Sequence, residues 1–227
     1  MQVFCDFDGT ISIGDATDQV LSRFADPDWE TIEQEWSRGS IGSAECMRRQ
    51  IALVRTTPHD LDAFLDTVPI DPGFPAFLTV CKARGIPVTV VSDGVGYFIR
   101  RILARHNIFD LPIIANVLAR RQEPEGVVYS LDQPFADRTC NAGSGVCKCA
   151  VVEDAGWTVY IGDGRSDFCV SDKADIVFAK DKLAEHCSRQ AIPFIKFDTF
   201  TDLLPRMTSI LSNETRSYRA WTQSRIA

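Results

Sequence analysis

No run of about 18 or more apolar residues occurs anywhere in the 227-residue chain, so nothing in it reads as a membrane-spanning helix. No positively charged leader precedes an apolar stretch at the N-terminus, and the expectation is a cytoplasmic protein with no membrane partner. Basic residues are in deficit, 24 Lys and Arg against 31 Asp and Glu, and they form no long run. A formal charge of −7 argues against a broad phosphate-backbone footprint, so no nucleic-acid partner is expected, and an anionic substrate needs local neutralisation. Internal repeats and low-complexity tracts are also missing. Only three histidines occur, His59, His106 and His186; none lies close to a motif, and none is assigned a catalytic role.

What is there is an ordinary globular composition, 45% hydrophobic and 24% charged, in which disorder is not the default. Eight cysteines do not imply a disulfide framework, because a chain of this size builds a core without staples. Free thiols are expected. Cys140, Cys147 and Cys149 lie within ten residues beside Gly143 and Gly145. Three thiols that close can hold zinc, but their spacing matches neither paired C-x-x-C knuckles nor a C2H2 finger, and a flexible Gly/Cys loop is the plainer reading.

The chain opens with a short apolar strand, QVFC, that runs straight into Asp6 and Asp8. From about residue 15 to 67 the spacing turns helical, through Val20, Leu21 and Phe24, then Trp29, Ile32 and Trp36, then Met47, Ile51 and Val54, then Leu61, Phe64 and Leu65. Breaks fall at Pro27, Gly39, Gly42 and Pro58. This block is predicted as residues 15–72, set between core segments 1–14 and 73–227, with Phe24, Trp29 and Trp36 read as its own core. After Asp71-Pro72-Gly73 come a helix over 74–84, the strand IPVTVVSDG and a helix over 97–106. Strand candidates at 112–117 and 127–131 follow, then a helix at about 147–155 and the strand WTVYIGDG. A short helix, the strand DIVFA, a helix around 181–190 and the strand PFIKF complete the pattern. Val88 to Val91 is apolar on both faces, as a buried parallel strand requires. The alternation predicts an α/β fold: a Rossmann-like parallel sheet flanked by helices, with a small helical block inserted after the first strand. The tail from about 212 reads as polar loose helix or coil.

Ligands of open α/β sheets collect at the carboxyl ends of the strands. Here the first strand ends in Asp6 and Asp8, the second in Ser92-Asp93-Gly94, and a later one in Gly162-Asp163-Gly164-Arg165-Ser166-Asp167, while Lys148 begins the helix before it. Each piece alone is an ordinary turn or cap. Together, and in this order, they describe one pocket. Carboxylates crowded so closely share a proton or need a cation, and an all-oxygen set suits Mg²⁺, which takes about six oxygens. Asp6 then becomes a candidate nucleophile on phosphorus and Asp8 the acid and base beside it. Ser92, the N–H groups of Asp93 and Gly94, and Lys148 would hold the phosphate oxygens.

With DFDGT at 6–10, VVSDG at 90–94, Lys148 and GDGRSD at 162–167, the chain resembles the haloacid dehalogenase superfamily of phosphatases over almost its whole length. The resemblance implies Asp6 as nucleophile, Asp8 as acid/base, Ser92 and Lys148 as further catalytic groups, and Mg²⁺ held by Asp6, Asp8 (through its carbonyl), Asp163 and Asp167, the last supporting the metal or Lys148. It implies a cap like that of the phosphoserine-phosphatase branch, closing over a small phosphorylated metabolite. FCDFDGT, the C-x6-CK stretch and DIVFAKDKLAEHC are similar to methionine-salvage phosphatases of that branch. Phosphoserine phosphatases carry a glutamate where this chain has Asp15 and an asparagine where it has Ser166. For substrate binding the candidates are Asp93, Gly94, Asp15, Arg48 and Arg49. Alternatives are phosphoserine or another small ester as substrate, an acceptor other than water, and a non-catalytic metal-binding relative. Retention of both Asp6 and Asp8 speaks against the last. An apolar cap or sheet edge would allow a homodimer.

Overall fold

The computed structural model describes residues 1–137, 140, 142–153 and 155–212. Seven strands form one sheet in the order β4-β3-β2-β1-β5-β6-β7. β1 (Gln2–Cys5) lies at its centre, parallel to β2 (Val88–Val95) on one side and β5 (Thr158–Gly162) on the other. β6 (Ile176–Ala179) and β7 (Ile195–Lys196) continue the parallel sheet beyond β5. β3 (Ile113–Glu123) pairs parallel with β2, and β4 (Gly126–Asp132) turns back antiparallel at the edge. The fold is α/β and Rossmann-like, as the alternation implies. Every residue of β2, β5 and β6 is buried, which is why these strands are apolar on both faces.

The chain moves outward from β1 through β2 to β3, then restarts on the opposite side of β1 at β5. That reversal puts the carboxyl ends of β1, β2 and β5 around a single crevice. Cys5 pairs in register with both Val90 and Ile161, so the residues that follow in each strand emerge at about the same height.

Between β1 and α5 (Phe74–Ala83) stand four helices: α1 (Ala16–Phe24), α2 (Trp29–Ser37), α3 (Ser43–Ile51) and α4 (Pro58–Leu65). Asp15 caps α1, accepting the Asp18 N–H at 2.9 Å; Thr57 caps α4, with Pro58 at the first helical position. Pro58 thus starts a helix where the spacing reads as a break. The block has no separate interior. Val20, Leu21, Ile51, Val54, Leu61 and Leu65 join the same apolar cluster as Phe74, Phe77 and Phe98 of the main body. Each such burial contributes about 1.5–3 kcal/mol, so the block is anchored by packing and not merely tethered.

The other helices are α6 (Gly96–Arg105), α7 (Lys148–Glu153), α8 (Asp181–Gln190) and α9 (Phe200–Ser212), with a 3-10 turn at Arg165–Asp167. Two features depart from the sequence reading. The strand candidates at 112–117 and 127–131 are not successive parallel strands: β3 runs on to Glu123 and forms a hairpin with β4, closed between Glu123 and Gly126. Inward alternation of the buried Tyr129 and Leu131 marks β4 as a half-exposed antiparallel strand. α9 is the second. Its Phe200, Leu203 and Met207 are fully buried at helical spacing, and buried Asp71 accepts the Phe200 N–H at 3.1 Å and the Gly73 N–H at 2.8 Å. The tail beyond 212 lies outside the described residues. No helix among the described residues is long and apolar enough to cross a membrane.

Candidate active site

Asp6 leaves the end of β1 almost fully buried, and one of its oxygens accepts the Phe7 N–H at 2.7 Å. Lys148, at the start of α7, is completely buried; its Nζ lies 2.7 Å from Asp6 Oδ2 and 2.6 Å from Asp167 Oδ1, and donates to Ser166 Oγ at 3.0 Å. Burial alone would lower the Lys148 pKa, but Asp167 and Asp6 outweigh it and hold it above the ordinary lysine value. The lysine is therefore a fixed positive charge. Asp6 is raised well above the usual carboxylate range by burial and by Asp167, with Lys148 opposing.

Asp167 is the anchor of this group. Its Oδ1 accepts from Lys148 and from the Tyr160 hydroxyl at 2.5 Å, and its Oδ2 accepts the Asp163 N–H at 3.0 Å and the Gly164 N–H at 2.9 Å. These bonds and the lysine keep Asp167 below the ordinary carboxylate pKa despite burial. An oxygen from each of Asp6, Asp163 and Asp167 lies within 4.8 Å of the others. Asp163 accepts a 2.5 Å bond from Thr10 Oγ1, and burial and then Asp167 push it up to about 7. Three carboxylates face one ammonium here, a donor set that fits a hard divalent cation. Asp167 has all its acceptor positions in use, so it serves Lys148 and leaves Asp6 and Asp163 as the carboxylates free to take a metal.

The Asp8 carboxylate stands apart from that group. Its Oδ1 accepts the Ala16 N–H at 2.8 Å, and its Oδ2 rests against the Gly94 Cα, in the space that a side chain at Gly94 would fill. The side chain is thus kept out of the carboxylate group, in keeping with a role for the Asp8 carbonyl there and not for its carboxylate. Burial, and then Asp15, raise its pKa well above the ordinary value, which suits a group that must carry a proton. Gly9 is required beside it. It adopts φ 71°, in the left-handed region, and a Cβ there would collide with the Asp163 carboxylate.

From β2, Ser92 Oγ accepts the Gly94 N–H at 3.0 Å and is buried. Asp93 does not offer its side chain to a ligand: Oδ1 accepts the Gly145 and Val146 N–H groups at 2.7 and 3.0 Å, and Oδ2 accepts the Ser43 hydroxyl. It clamps the loop before Lys148 to β2 and to α3. The sequence reading missed Ser43, Thr10, Tyr160 and Asn116, whose amide donates to the Asp93 carbonyl.

A cleft of about 340 Å³ opens above these groups, walled on the far side by Asp15, Asp18, Glu33, Trp36, Cys46, Met47 and Gln50. Asp15 both caps α1 and lines the cleft; Asp18 beside it is raised to about 7 by burial, then by Asp15 and Glu33. Trp36, expected in the block's core, faces the cleft instead and is roofed by Arg165, whose guanidinium sits 5.3 Å from its ring. Arg48 and Arg49 are not there. Arg48 is exposed, and Arg49 pairs with Glu35 at 2.7 Å across α2 and α3, while Cys46, Met47 and Gln50 present the cleft face of α3. A larger groove of about 680 Å³, between α4 and the β3–β4 turn, lies away from the strand ends.

Residues 3–171 match the haloacid dehalogenase-like hydrolase family, and the chain belongs to that family. Within it the chain is a phosphatase, a phosphoric monoester hydrolase. It is 29% identical over 209 residues to a protein of Brevibacillus brevis (strain 47) named 2-hydroxy-3-keto-5-methylthiopentenyl-1-phosphate phosphatase, covering 89% of this chain and 92% of that one. A protein of the same name from Geobacillus thermodenitrificans is 28% identical over 212 residues, covering 90% and 94%. In fold it is similar to a phosphoserine phosphohydrolase-like protein from Francisella tularensis, with a TM-score of 0.65 at 18% identity over 90% of this chain and 98% of that one.

Proposed function

We propose that the protein hydrolyses a small phosphorylated metabolite through a phosphoryl group carried on Asp6. The observation that carries this reading is Lys148, completely buried between Asp6 and Asp167. Such a lysine neutralises the nucleophile and the incoming phosphate at the same time. Asp6 attacks phosphorus; Asp8, whose surroundings raise its pKa, gives a proton to the departing oxygen and then takes one from the water that frees Asp6. Ser92 holds a phosphate oxygen, and Lys148 supplies positive charge from beneath Asp6. Members of this family generally use Mg²⁺, and Asp6, Asp163 and the Asp8 carbonyl are the groups that would hold it; when bound it adds positive charge to the phosphate site. Residues 15–72 act as the cap, which the Ser43–Asp93 bond and the Arg165–Trp36 stack hold over the cleft.

For the substrate we propose 2-hydroxy-3-keto-5-methylthiopentenyl-1-phosphate, the compound in the names of the bacterial relatives. Trp36, Cys46 and Met47 supply soft apolar surface for a thioether. Gln50 and Ser43 supply polar groups for a hydroxyl or ketone. Among the described residues, the cap's own contribution to the cleft is acidic, through Asp15, Asp18 and Glu33, and the cations there, Arg165 and Lys182, come from the main body, a wall less suited to the carboxylate of phosphoserine. The test is phosphate release with Mg²⁺ from a panel holding this ester, phosphoserine and 4-nitrophenyl phosphate. A sharp preference for the first is expected. Turnover of the others with none of the first would remove the substrate and leave the chemistry.

A further inference from the structure

Three thiols outside the carboxylate site come together at the back of the Lys148 loop, with a fourth close by. Cys149 Sγ lies 3.2 Å from Cys147 Sγ and 3.6 Å from Cys140 Sγ, and all three sulfurs lie within 4.8 Å of one another. Cys169, which follows the 3-10 turn carrying Asp167, stands beside this cluster, and its thiol donates to the Ser166 carbonyl at 4.0 Å. Around a tetrahedral zinc with bonds of about 2.3 Å, neighbouring thiolates sit about 3.8 Å apart. The two Cys149 separations fall a little short of that value, so small side-chain rotations would open the cluster around an ion.

The surrounding backbone points the same way. The backbone N–H groups of Ala142, Ala150 and Cys149 lie near enough to Cys140, Cys147 and Cys169 to favour their thiolates. Such N–H donors to sulfur are the outer contacts that a thiolate–metal centre needs. Cys147 is buried and the other three are partly exposed, so an ion has a path in. The spacing C-x6-C-x-C with a distant fourth cysteine matches none of the short zinc patterns, and the plain loop reading follows from that. It is the fold that delivers Cys169.

We propose that the clustered Cys140, Cys147 and Cys149, joined by Cys169 turning in as the fourth ligand, form a structural zinc site. Binding replaces four S–H bonds by four Zn–S bonds and releases the thiol protons to solvent. The site ties two loops together. One carries Lys148, flanked by two of the ligands, and the Gly145 and Val146 N–H groups that clamp Asp93. The other carries Ser166 and Asp167. Zinc here is a positioning device for the Lys148–Asp167 pair and stands apart from the Mg²⁺ chemistry.

The test is metal analysis of protein purified under reductant without chelator. The proposal expects about one zinc per chain, lost in Cys140→Ser and Cys169→Ser and kept in Asp6→Asn and Asp163→Asn. Cobalt exchange into the unmutated protein is expected to give intense sulfur-to-metal absorption, which does not depend on any variant folding. Absence of zinc with no cobalt–thiolate band, zinc kept by both cysteine variants, or an intramolecular disulfide among these residues in freshly prepared protein would each overturn it.

Discussion

Replacing Asp163 with asparagine should make the metal-free protein more stable while removing its activity. In the fold, burial and Asp167 lift Asp163 from 3.8 to about 7. Between those values the folded chain holds a proton that the unfolded chain has released, so unfolding free energy falls as pH rises through that window. Above about pH 7 the whole penalty is present. Three pKa units correspond to about 4 kcal/mol; sharing of charge with Asp6 and relaxation of a partly exposed group reduce this to about 2 kcal/mol. Asparagine carries no charge, and its Oδ1 can still accept from Thr10, so the local hydrogen bond survives. For a chain of this length, about 2 kcal/mol is a rise in Tm of about 4–8 °C. The assay is thermal unfolding of both proteins in chelator at about pH 8 and about pH 4.5, then at the higher pH with Mg²⁺. The variant should lead at the higher pH, lose most of that lead at the lower, and gain nothing from Mg²⁺ that stabilises the unmutated protein. An unchanged Tm at the higher pH, or a lead that does not shrink on acidification, would refute the electrostatic account of this site.

Asp8→Asn should slow phosphoryl transfer from alkyl phosphates by about 10²–10⁴-fold, while 4-nitrophenyl phosphate, whose leaving group needs little protonation, still gives a burst of nitrophenolate followed by slow turnover, as rapid-mixing kinetics on the two substrate types would show. Lys148→Met leaves Asp167 buried without its cation and should cost about 3–5 kcal/mol in denaturant unfolding along with activity. Gly94→Ala drives a methyl into the Asp8 carboxylate and should depress kcat far more than stability, measured side by side. Phe200→Ala removes a ring packed against Phe74, Phe77 and Phe197 and should cost about 3–5 kcal/mol, read from urea melts, without altering KM.

The floor of the candidate site was legible in the sequence because its parts are short and local. Asp6, Asp8, Ser92 and Asp163 each follow an apolar run directly, and the carboxyl end of a buried strand is where such residues must emerge. The walls were not legible. Arg48 and Arg49 share a helix with Met47 and Gln50, and periodicity shows that α3 has two faces without saying which one meets the cleft; Glu35, on a different helix, takes Arg49 away. Asp93 enters the sequence reading through its backbone N–H beside Ser92, and nothing there shows that its side chain is taken up by Ser43 and the N–H groups of residues 145 and 146. Trp36 fits a helical core pattern equally well whether it packs inward or faces Arg165. The β3–β4 hairpin escaped for a related reason: the polar Arg120 to Glu123 segment looks like loop until Tyr129 and Leu131 are seen to supply the inward face of its partner.

The central claim is that the phosphoryl group passes through Asp6. Rapid quenching of the enzyme during turnover of a phosphorus-labelled ester, followed by peptide mapping, tests it most directly. The account expects a hydroxylamine-sensitive label on the peptide that contains Asp6, and neither label nor turnover in Asp6→Asn. Label on any other residue, or undiminished hydrolysis by Asp6→Asn, would contradict it.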